Sequence, residues 1–124
     1  TANGKLLLAY EPKESLMQLF QVTNLTPYTD KTLTTPGEFM DQLDNIRQNG
    51  YSMTSGEFHQ GIHSIAAPIY GRTGKVLAAL NIVATELSYQ EDFMNKVALP
   101  KLLDVSVLLS NYMGYNGRVS KQVK

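Results

Sequence analysis

The sequence contains no cysteine, carries no net charge and has no long apolar run, and each absence removes a class of function. Without a thiol, the chain has no disulfide framework, no thiolate zinc site and no cysteine nucleophile. Its 11 basic and 11 acidic residues balance, which disfavours nucleic-acid binding, because phosphate contacts require an excess of Lys and Arg. No apolar run reaches the roughly 18 residues of a membrane span, and no signal peptide is visible. We therefore expect a cytoplasmic protein that does not contact a membrane.

The composition is that of one globular domain. The chain has 124 residues, of which 43% are hydrophobic and 18% charged, and this supports a real core. The segment Thr1–Lys5 leads directly into the apolar run Leu6–Tyr10 without an initiator Met. We therefore expect the chain to be a fragment that begins inside a structural element.

Apolar spacing and capping residues predict helices in the first half of the chain. Two short helices are predicted over residues 2–10 and 12–21, followed by a polar loop. Thr35 with Glu38 three residues later forms a capping box, which opens a third helix. Gly50 ends that helix, because glycine readily adopts the left-handed conformation found after helices.

The last predicted element is a long helix that opens at a second capping box, Ser88–Glu91, and runs to about Met113. Pro100 should interrupt it, because proline lacks the N–H that a helix interior needs. Gly114 ends it, and the basic residues beyond predict a disordered tail over 114–124.

Between the helices, apolar and β-branched runs predict strands over 51–57, 62–70 and 75–85. The last two are joined by Gly71–Gly74, which is typical of a hairpin whose glycines adopt positive φ. Helices, a hairpin and a further helix predict an α+β domain with an antiparallel sheet flanked by helices.

The two histidines, His59 and His63, do not form a convincing reactive centre. On a strand they would lie roughly 13 Å apart, too far to share a metal ion, and Glu57 is the only further ligand nearby. Ser64 follows His63 directly, so their side chains should point to opposite faces of the strand. We therefore predict no metal, no cofactor and no catalytic residue.

Alternation along the two hairpin strands singles out two polar residues. Ser64 shares a face with Ile62 and Ala66, and Asn81 shares a face with Ala79. Small neighbours leave room for a ligand, and one or two polar groups would orient it. The alternative is that both side chains satisfy backbone groups or face solvent, as most buried polar atoms do.

Several ordered blocks of the sequence resemble one known family. The blocks are Ala2-x-Gly4-Lys5-x-Leu7-Leu8-Ala9, Leu25-Thr26-Pro27-Tyr28-Thr29, Ile46-Arg47-x-x-Gly50-Tyr51, Glu57-x-x-x-Gly61-x-x-Ser64-Ile65-Ala66-Ala67-Pro68-Ile69 and Gly74-x-Val76-x-Ala78-Ala79-Leu80-Asn81. In order and spacing they are similar to the effector-binding domain of IclR-family bacterial transcription regulators, over residues 1 to about 112.

The resemblance implies a GAF-like effector-binding domain over residues 1–113, partial at its N-terminal side because the first strands are missing from this chain. It implies a homodimer or homotetramer that contacts operator DNA only through an absent N-terminal helix-turn-helix domain. A small metabolite would bind the effector domain and switch DNA binding allosterically.

Carried onto this sequence, the family's effector pocket falls on seven residues. They are Ala2, Asn3, Thr54, Ile62, Ser64, Asn81 and Val83. Backbone N–H groups at the start of the first helix would suit a carboxylate. The family often has acidic residues where Thr54 and Ser55 stand, and this chain most resembles the branch that senses aromatic acids. We therefore expect a small organic acid, aromatic or other, as the effector.

Two other functions are compatible with parts of the sequence. One is a small enzyme acting on an organic acid, with His63 or Glu57 as acid or base, but it would need a second group oriented towards the first, and none can be assembled. The other is an oligomerisation domain with a vestigial pocket. A ligand-induced rise in melting temperature distinguishes a sensor from the latter.

Overall fold

The computed structural model describes residues 2–22, 36–55, 61–85 and 92–117, and these form an α+β domain with a three-stranded antiparallel sheet. In chain order the elements are helices α1 (Ala2–Ala9), α2 (Lys13–Val22) and α3 (Pro36–Asn49), strands β1 (Ser52–Ser55), β2 (Ile62–Tyr70) and β3 (Val76–Thr85), a π-helical segment (Met94–Ala98) and helix α4 (Leu99–Tyr112). The predicted fold class is confirmed. Within these ranges, no helix is long and apolar enough to cross a membrane.

The three strands form one antiparallel sheet in the order β1-β2-β3. Thr54 lies opposite Ser64, and Ser64 lies opposite Val83. Residues directly opposite one another in an antiparallel pair lie on the same face of the sheet. Thr54, Ser64 and Val83 therefore form one row on one face, and Ile65 with its partner Ile82 lies on the other, as the alternation predicts.

The hairpin between β2 and β3 forms at the predicted turn. The Gly71 N–H donates to the Lys75 carbonyl at 2.8 Å, and the Gly74 N–H donates to the Gly71 carbonyl at 3.0 Å. Positive φ was expected at both glycines, but only Gly74 has it, at 85°. Gly71 is needed for space instead, because a Cβ there would lie 2.9 Å from the Leu77 side chain.

Helix α1 covers one face of the sheet and joins the larger buried cluster. Its Ala2, Leu6 and Ala9 pack with Ala66 of β2 and with apolar residues of α2 and α3. Leu6 is fully buried. The small Ala66 lets the helix approach the sheet closely, so α1 is held directly over β2.

The π-helical segment and α4 cover the opposite face. Their buried residues recur every four positions, at Met94, Ala98, Leu102, Ser106 and Ser110. Met94, Ala98 and Leu102 pack on Ile65 and Ala67 of β2. The sheet is therefore enclosed between two helical layers.

The interruption expected at Pro100 takes the form of a π-helical turn directly before it. The Leu99 N–H donates to the Met94 carbonyl, five residues back. Pro100 stands within the first two positions of α4, where its missing N–H removes no bond from the helix interior.

The domain continues slightly beyond the predicted end of the last helix. Gly114 has a φ of 90°, and the Tyr115 N–H donates to the Ser110 carbonyl at 3.0 Å. Tyr115 is only 7% exposed and stacks on Tyr70 with ring centroids 4.9 Å apart. The tail predicted from residue 114 therefore includes a packed aromatic, and we propose that the domain extends at least to Tyr115.

Five predicted features lie outside the described residues. They are the polar loop after α2, the N-cap Thr35, the residues Glu57 and His59, the capping box at Ser88–Glu91, and the remainder of the tail from residue 118.

Candidate ligand-binding site

Helix α1 runs along β2, with its C-terminal end at the hairpin turn and its N-terminal end towards the start of β2. Tyr10, directly after α1, packs with Tyr70 and Val76 beside the turn. Ala2, at the other end of α1, belongs to the same buried cluster as Ala66 of β2.

Asn3 lies in the first turn of α1. It is four residues before Leu7, so the two share one side of the helix. Leu7 and Tyr10 line a cleft together with Val76 and Leu77 of β3. The Asn3 Oδ1 atom is buried and has no hydrogen-bond partner among the described residues.

On the same face of the sheet, Thr54 and Ser64 form a buried hydroxyl pair. Their Oγ1 and Oγ atoms are 2.8 Å apart, and both residues are buried. In such a pair one hydroxyl donates to the other, so one hydroxyl proton is left to donate elsewhere. The pair can therefore bind an acceptor such as a carboxylate oxygen.

The β3 side of this face is open. Val83, opposite Ser64, is 56% exposed, and Asn81, opposite Ala66, is also exposed. The buried polar residues of β1 and β2 therefore lie next to solvent-accessible residues of β3 on the same face.

The structure brings most of the seven predicted residues to one region. Thr54, Ser64 and Val83 share a row, Asn81 belongs to a neighbouring row, and Ile62 extends the same face towards the start of β2. The predicted helix residues Ala2 and Asn3 occupy the first turn of α1. Ala2 is 1% exposed within the core, so only its backbone is available to a ligand.

His63 lies in a different environment from the Thr54–Ser64 pair. His63 lies on the opposite face of the sheet, where its Nδ1 atom is 2.6 Å from Ser55 Oγ. Among the described residues, no group of three His, Asp or Glu side chains is arranged to hold a metal ion. His63 is therefore separated from the predicted site by the sheet itself.

Sequence reasoning missed Ser52. It lies two residues before Thr54 on the same face, opposite Ala66, and is 1% exposed. Its Oγ atom has no hydrogen-bond partner within the described part of the chain. The i, i+2 spacing from Thr54 was an available signal, because alternate strand residues share a face.

A cleft of about 670 Å³ lies at the other end of α1, beside the hairpin. It shares no residue with the predicted site, and most of its walls, including Glu11, Lys75 and Leu77, are exposed side chains. A ligand site needs convergent, partly buried polar groups. The Thr54–Ser64 region meets that requirement and the cleft does not.

At the hairpin end, tyrosines link α1 to the sheet. The Tyr70 hydroxyl donates to the Tyr10 hydroxyl at 3.3 Å, and the two rings meet edge to face. Burial raises the pKa of both Tyr10 and Tyr70 above the ordinary value. Both hydroxyls therefore stay protonated at neutral pH and hold the end of α1 on β2.

The sequence profile of one family, described as the C-terminal domain of the bacterial transcriptional regulator IclR, matches residues 1–111. The Pca operon regulatory protein of Acinetobacter baylyi is 32% identical over 113 residues, covering 91% of this chain and 41% of that protein. The regulator KdgR of Dickeya chrysanthemi is 32% identical over 117 residues, covering 94% and 38%. The chain thus spans about two fifths of the length of these relatives.

Solved structures of similar sequence share the fold. The inducer-binding domain of a PobR double mutant from Acinetobacter, in complex with 3-hydroxybenzoic acid, superposes with a TM-score of 0.86 at 28% identity, covering 90% of this chain and 64% of that one. The C-terminal domain of Escherichia coli KdgR gives 0.83 at 30% identity, covering 93% and 70%.

Proposed function

Because the chain belongs to the IclR family of bacterial transcriptional regulators and corresponds to their C-terminal domain, we propose that it binds a small organic acid whose binding switches the regulator. The family and its relatives are transcriptional regulators and not enzymes. The alternative of a small enzyme acting on an organic acid is therefore set aside.

The buried Thr54–Ser64 pair carries this proposal. Its unused hydroxyl proton can donate to one carboxylate oxygen. The backbone N–H groups of Ala2 and Asn3 stand at the positive end of the α1 helix dipole, which suits the same anion. The seven residues inferred from the resemblance remain the proposed effector site: Ala2, Asn3, Thr54, Ile62, Ser64, Asn81 and Val83.

An aromatic acid is the class that we propose. Val83 and Ile62 offer apolar surface beside the hydroxyl pair, which suits the ring of a benzoate, while Asn81 can bond a ring substituent. The relatives include a p-hydroxybenzoate hydroxylase transcriptional activator and the inducer-binding domain solved with 3-hydroxybenzoic acid. The 3-hydroxybenzoic acid bound by that inducer-binding domain supports the same class here.

The mechanism that we propose is a population shift. The acid would favour one arrangement of subunits, and it can shift the equilibrium only by the difference between its affinities for the two arrangements. The tie between Tyr10 and Tyr70 would let a displacement of α1 reach β2 and α4. A homodimer or homotetramer, acting in the cytoplasm on operator DNA through a domain outside this chain, would read out the change.

A thermal-shift screen of the chain against substituted benzoates and other small carboxylic acids tests the proposal. At least one acid should raise the melting temperature by several degrees, since a ligand that binds only the native state stabilises it. Ser64→Ala and Asn81→Ala should abolish or strongly reduce that rise.

Ser55→Ala is the matched control, because it removes a hydroxyl from the polar pair on the other face and should leave the ligand response unchanged. If no acid raises the melting temperature, or if Ser64→Ala responds as fully as the unmodified chain, the site is wrong. The remaining function would then be that of an oligomerisation domain with a vestigial pocket.

A further inference from the structure

Ser52 carries a buried hydroxyl that the folded chain leaves without a hydrogen bond. The residue is 1% exposed, and its Oγ atom has no partner among the described residues. An unpaired buried hydroxyl destabilises the folded state, so native structures contain few of them and each one calls for a reason. Ser52 is not among the seven residues of the proposed effector site, so that site leaves its hydroxyl unexplained.

A serine of equal burial in α4 is fully bonded. Ser110 is 0% exposed, and its Oγ atom donates to the Ser106 carbonyl at 2.7 Å and accepts from the Tyr70 N–H at 2.9 Å. On the α1 side, Ser52 Oγ and Asn3 Oδ1 both lack a partner within the described ranges. The unsatisfied polar atoms therefore lie in the layer that carries the proposed effector site.

Helix α1 closes Ser52 off from solvent. Ser52 and Thr54 are the buried residues of β1 and alternate with exposed ones. Ser52 lies opposite Ala66, which belongs to the same buried cluster as Ala2 and Leu6 of α1, and α1 also lies against β1. A ligand can therefore reach the Ser52 hydroxyl only if α1 is displaced from the sheet.

We propose that Ser52 is an effector-binding residue, and that its hydroxyl bonds a neutral polar group of the effector when α1 is displaced. A ligand shifts a conformational equilibrium only through interactions that differ between the two states. The bond to Ser52 forms in the displaced state alone, so it favours that state. The inference rests on the proposed function and adds to it the contact that drives the switch.

The surroundings of Ser52 limit which chemical group it binds. A second carboxylate would be a desolvated charge facing a neutral hydroxyl, which is costly, and an alkyl group would leave the hydroxyl unpaired. A hydroxyl or carbonyl group satisfies it without burying a charge. The effector class is therefore a monocarboxylic acid with a neutral polar substituent.

The position of that substituent follows from the strand. Ser52 is two residues from Thr54 on the same face of β1, roughly 6.6 Å away. With the carboxylate on the Thr54–Ser64 pair, the neutral group stands about one strand repeat further along the ligand. For a benzoate, this favours a hydroxyl at the meta or para position over the ortho position, which adjoins the carboxylate.

The first experiment needs no ligand and compares Ser52→Ala with Ser110→Ala by thermal unfolding. Removing an unpaired buried hydroxyl relieves its desolvation, so Ser52→Ala should raise the melting temperature by about 3 °C. Ser110→Ala removes a bonded hydroxyl and should lower it by at least as much. A fall in the melting temperature of Ser52→Ala would show that its hydroxyl is already bonded, and would overturn the proposal.

Calorimetric titration with benzoate, 2-, 3- and 4-hydroxybenzoate tests the contact itself. The unmodified chain should bind the 3- or 4-hydroxy acid about tenfold more tightly than benzoate, and Ser52→Ala should reduce that preference to within about threefold, because the partner of the ligand hydroxyl is gone. Ser55→Ala removes the hydroxyl that bonds to His63 on the other face and should keep the full preference. A loss of stability alone would change the affinities together and leave their ratio intact.

Amide hydrogen exchange tests the displacement of α1. Saturating hydroxybenzoate should change the exchange of α1 amides in the unmodified chain, and Ser52→Ala should remove most of that change. Unchanged exchange in the unmodified chain at saturation would overturn the coupling.

The outcomes separate this inference from the proposed function. If the acids bind and Ser64→Ala weakens them, but Ser52→Ala keeps the full preference, the function stands and the role of Ser52 is wrong. If none of the acids binds to the unmodified chain, the aromatic-acid function fails and this inference fails with it.

Discussion

The two faces of the sheet are built from the same three strands and differ in chemistry. Towards α4, the sheet presents Ile65, Ala67 and Ile82, which pack against the π-helical segment and α4 without a polar residue at the centre. Towards α1, it presents Ser64 and Thr54 beside the small Ala66. One face therefore holds the domain together, and the other combines packing with polar groups that a ligand can use.

Alternation along a strand lets neighbouring residues serve packing on one face and ligand binding on the other, with no change in backbone conformation. Successive side chains point to opposite faces, so Ser64 and Ile65 are neighbours in sequence but belong to different layers. Both are buried, yet the hydroxyl of Ser64 requires a partner and the side chain of Ile65 does not. Stability and ligand binding should therefore respond separately to substitutions one residue apart.

Tyr70 joins the two layers. Its hydroxyl bonds to Tyr10 at the end of α1, and its backbone N–H donates to Ser110 Oγ of α4 at 2.9 Å. The strand register shifts between Ile69 and Tyr70. This N–H is thus bonded to a helix side chain, which couples the helix on one face to the helix on the other.

The largest loss of stability should follow from Ile65→Ala. Ile65 is 0% exposed in the cluster under α4, and truncating a buried isoleucine costs about 3 kcal/mol through lost burial and the cavity left behind. Urea unfolding measures the change in the free energy of unfolding. Ile65→Val is the graded control and should cost about 1 kcal/mol; equal effects of the two would mean that this face is loosely packed.

Ser110→Ala should cost about 2 kcal/mol, because it leaves the buried Tyr70 N–H without its acceptor. The loss should appear in the free energy of unfolding and in faster amide exchange at Tyr70. Ser106→Ala is the comparison, since Ser106 donates to the carbonyl of Leu103 within its own helix and supports no strand N–H. If Ser106→Ala costs as much as Ser110→Ala, the bond to Tyr70 is not what links the layers.

High pH should weaken the contact between Tyr10 and Tyr70, which joins the end of α1 to β2, because these tyrosines are buried. Burial raises the folded-state pKa of Tyr70 above its ordinary value of 10.0, so folding favours the neutral hydroxyl. The stabilisation is fully present below pH 10 and falls as pH rises above it, because the unfolded chain then ionises before the folded one. Tyr70→Phe should unfold with a shallower pH dependence between pH 9 and 11, whereas an unchanged slope would contradict the assignment.

The smallest effect on stability is expected at the open edge of the face under α1. Val83 is largely exposed, so Val83→Ser should change the free energy of unfolding by less than about 0.5 kcal/mol. If Val83 contacts the ring of the effector, the same substitution should still weaken ligand affinity by about tenfold, as measured by calorimetry. A large loss of stability would show that the residue is structural.

Much of the fold was predictable from local signals. The bounds of β2 and the end of α3 were predicted correctly, since both are marked by clear periodicity and by Gly50. The placement of Ser64 and Ile65 on opposite faces also followed from alternation. The packing of Tyr115 was not predicted, because a single aromatic in a polar stretch has no periodicity and its partner, Tyr70, is 45 residues away in the chain.

Short-range periodicity and ordered motifs were enough to predict which residues form strands and helices, which face each strand residue occupies and which family the chain resembles. Three features became visible only in the folded chain: the bond between Thr54 and Ser64, the burial of Ser52 beside them, and the connection that Tyr70 makes to both helical layers. These contacts join residues 10 to 60 positions apart. They depend on strand register and on where each helix rests, and no local pattern specifies either.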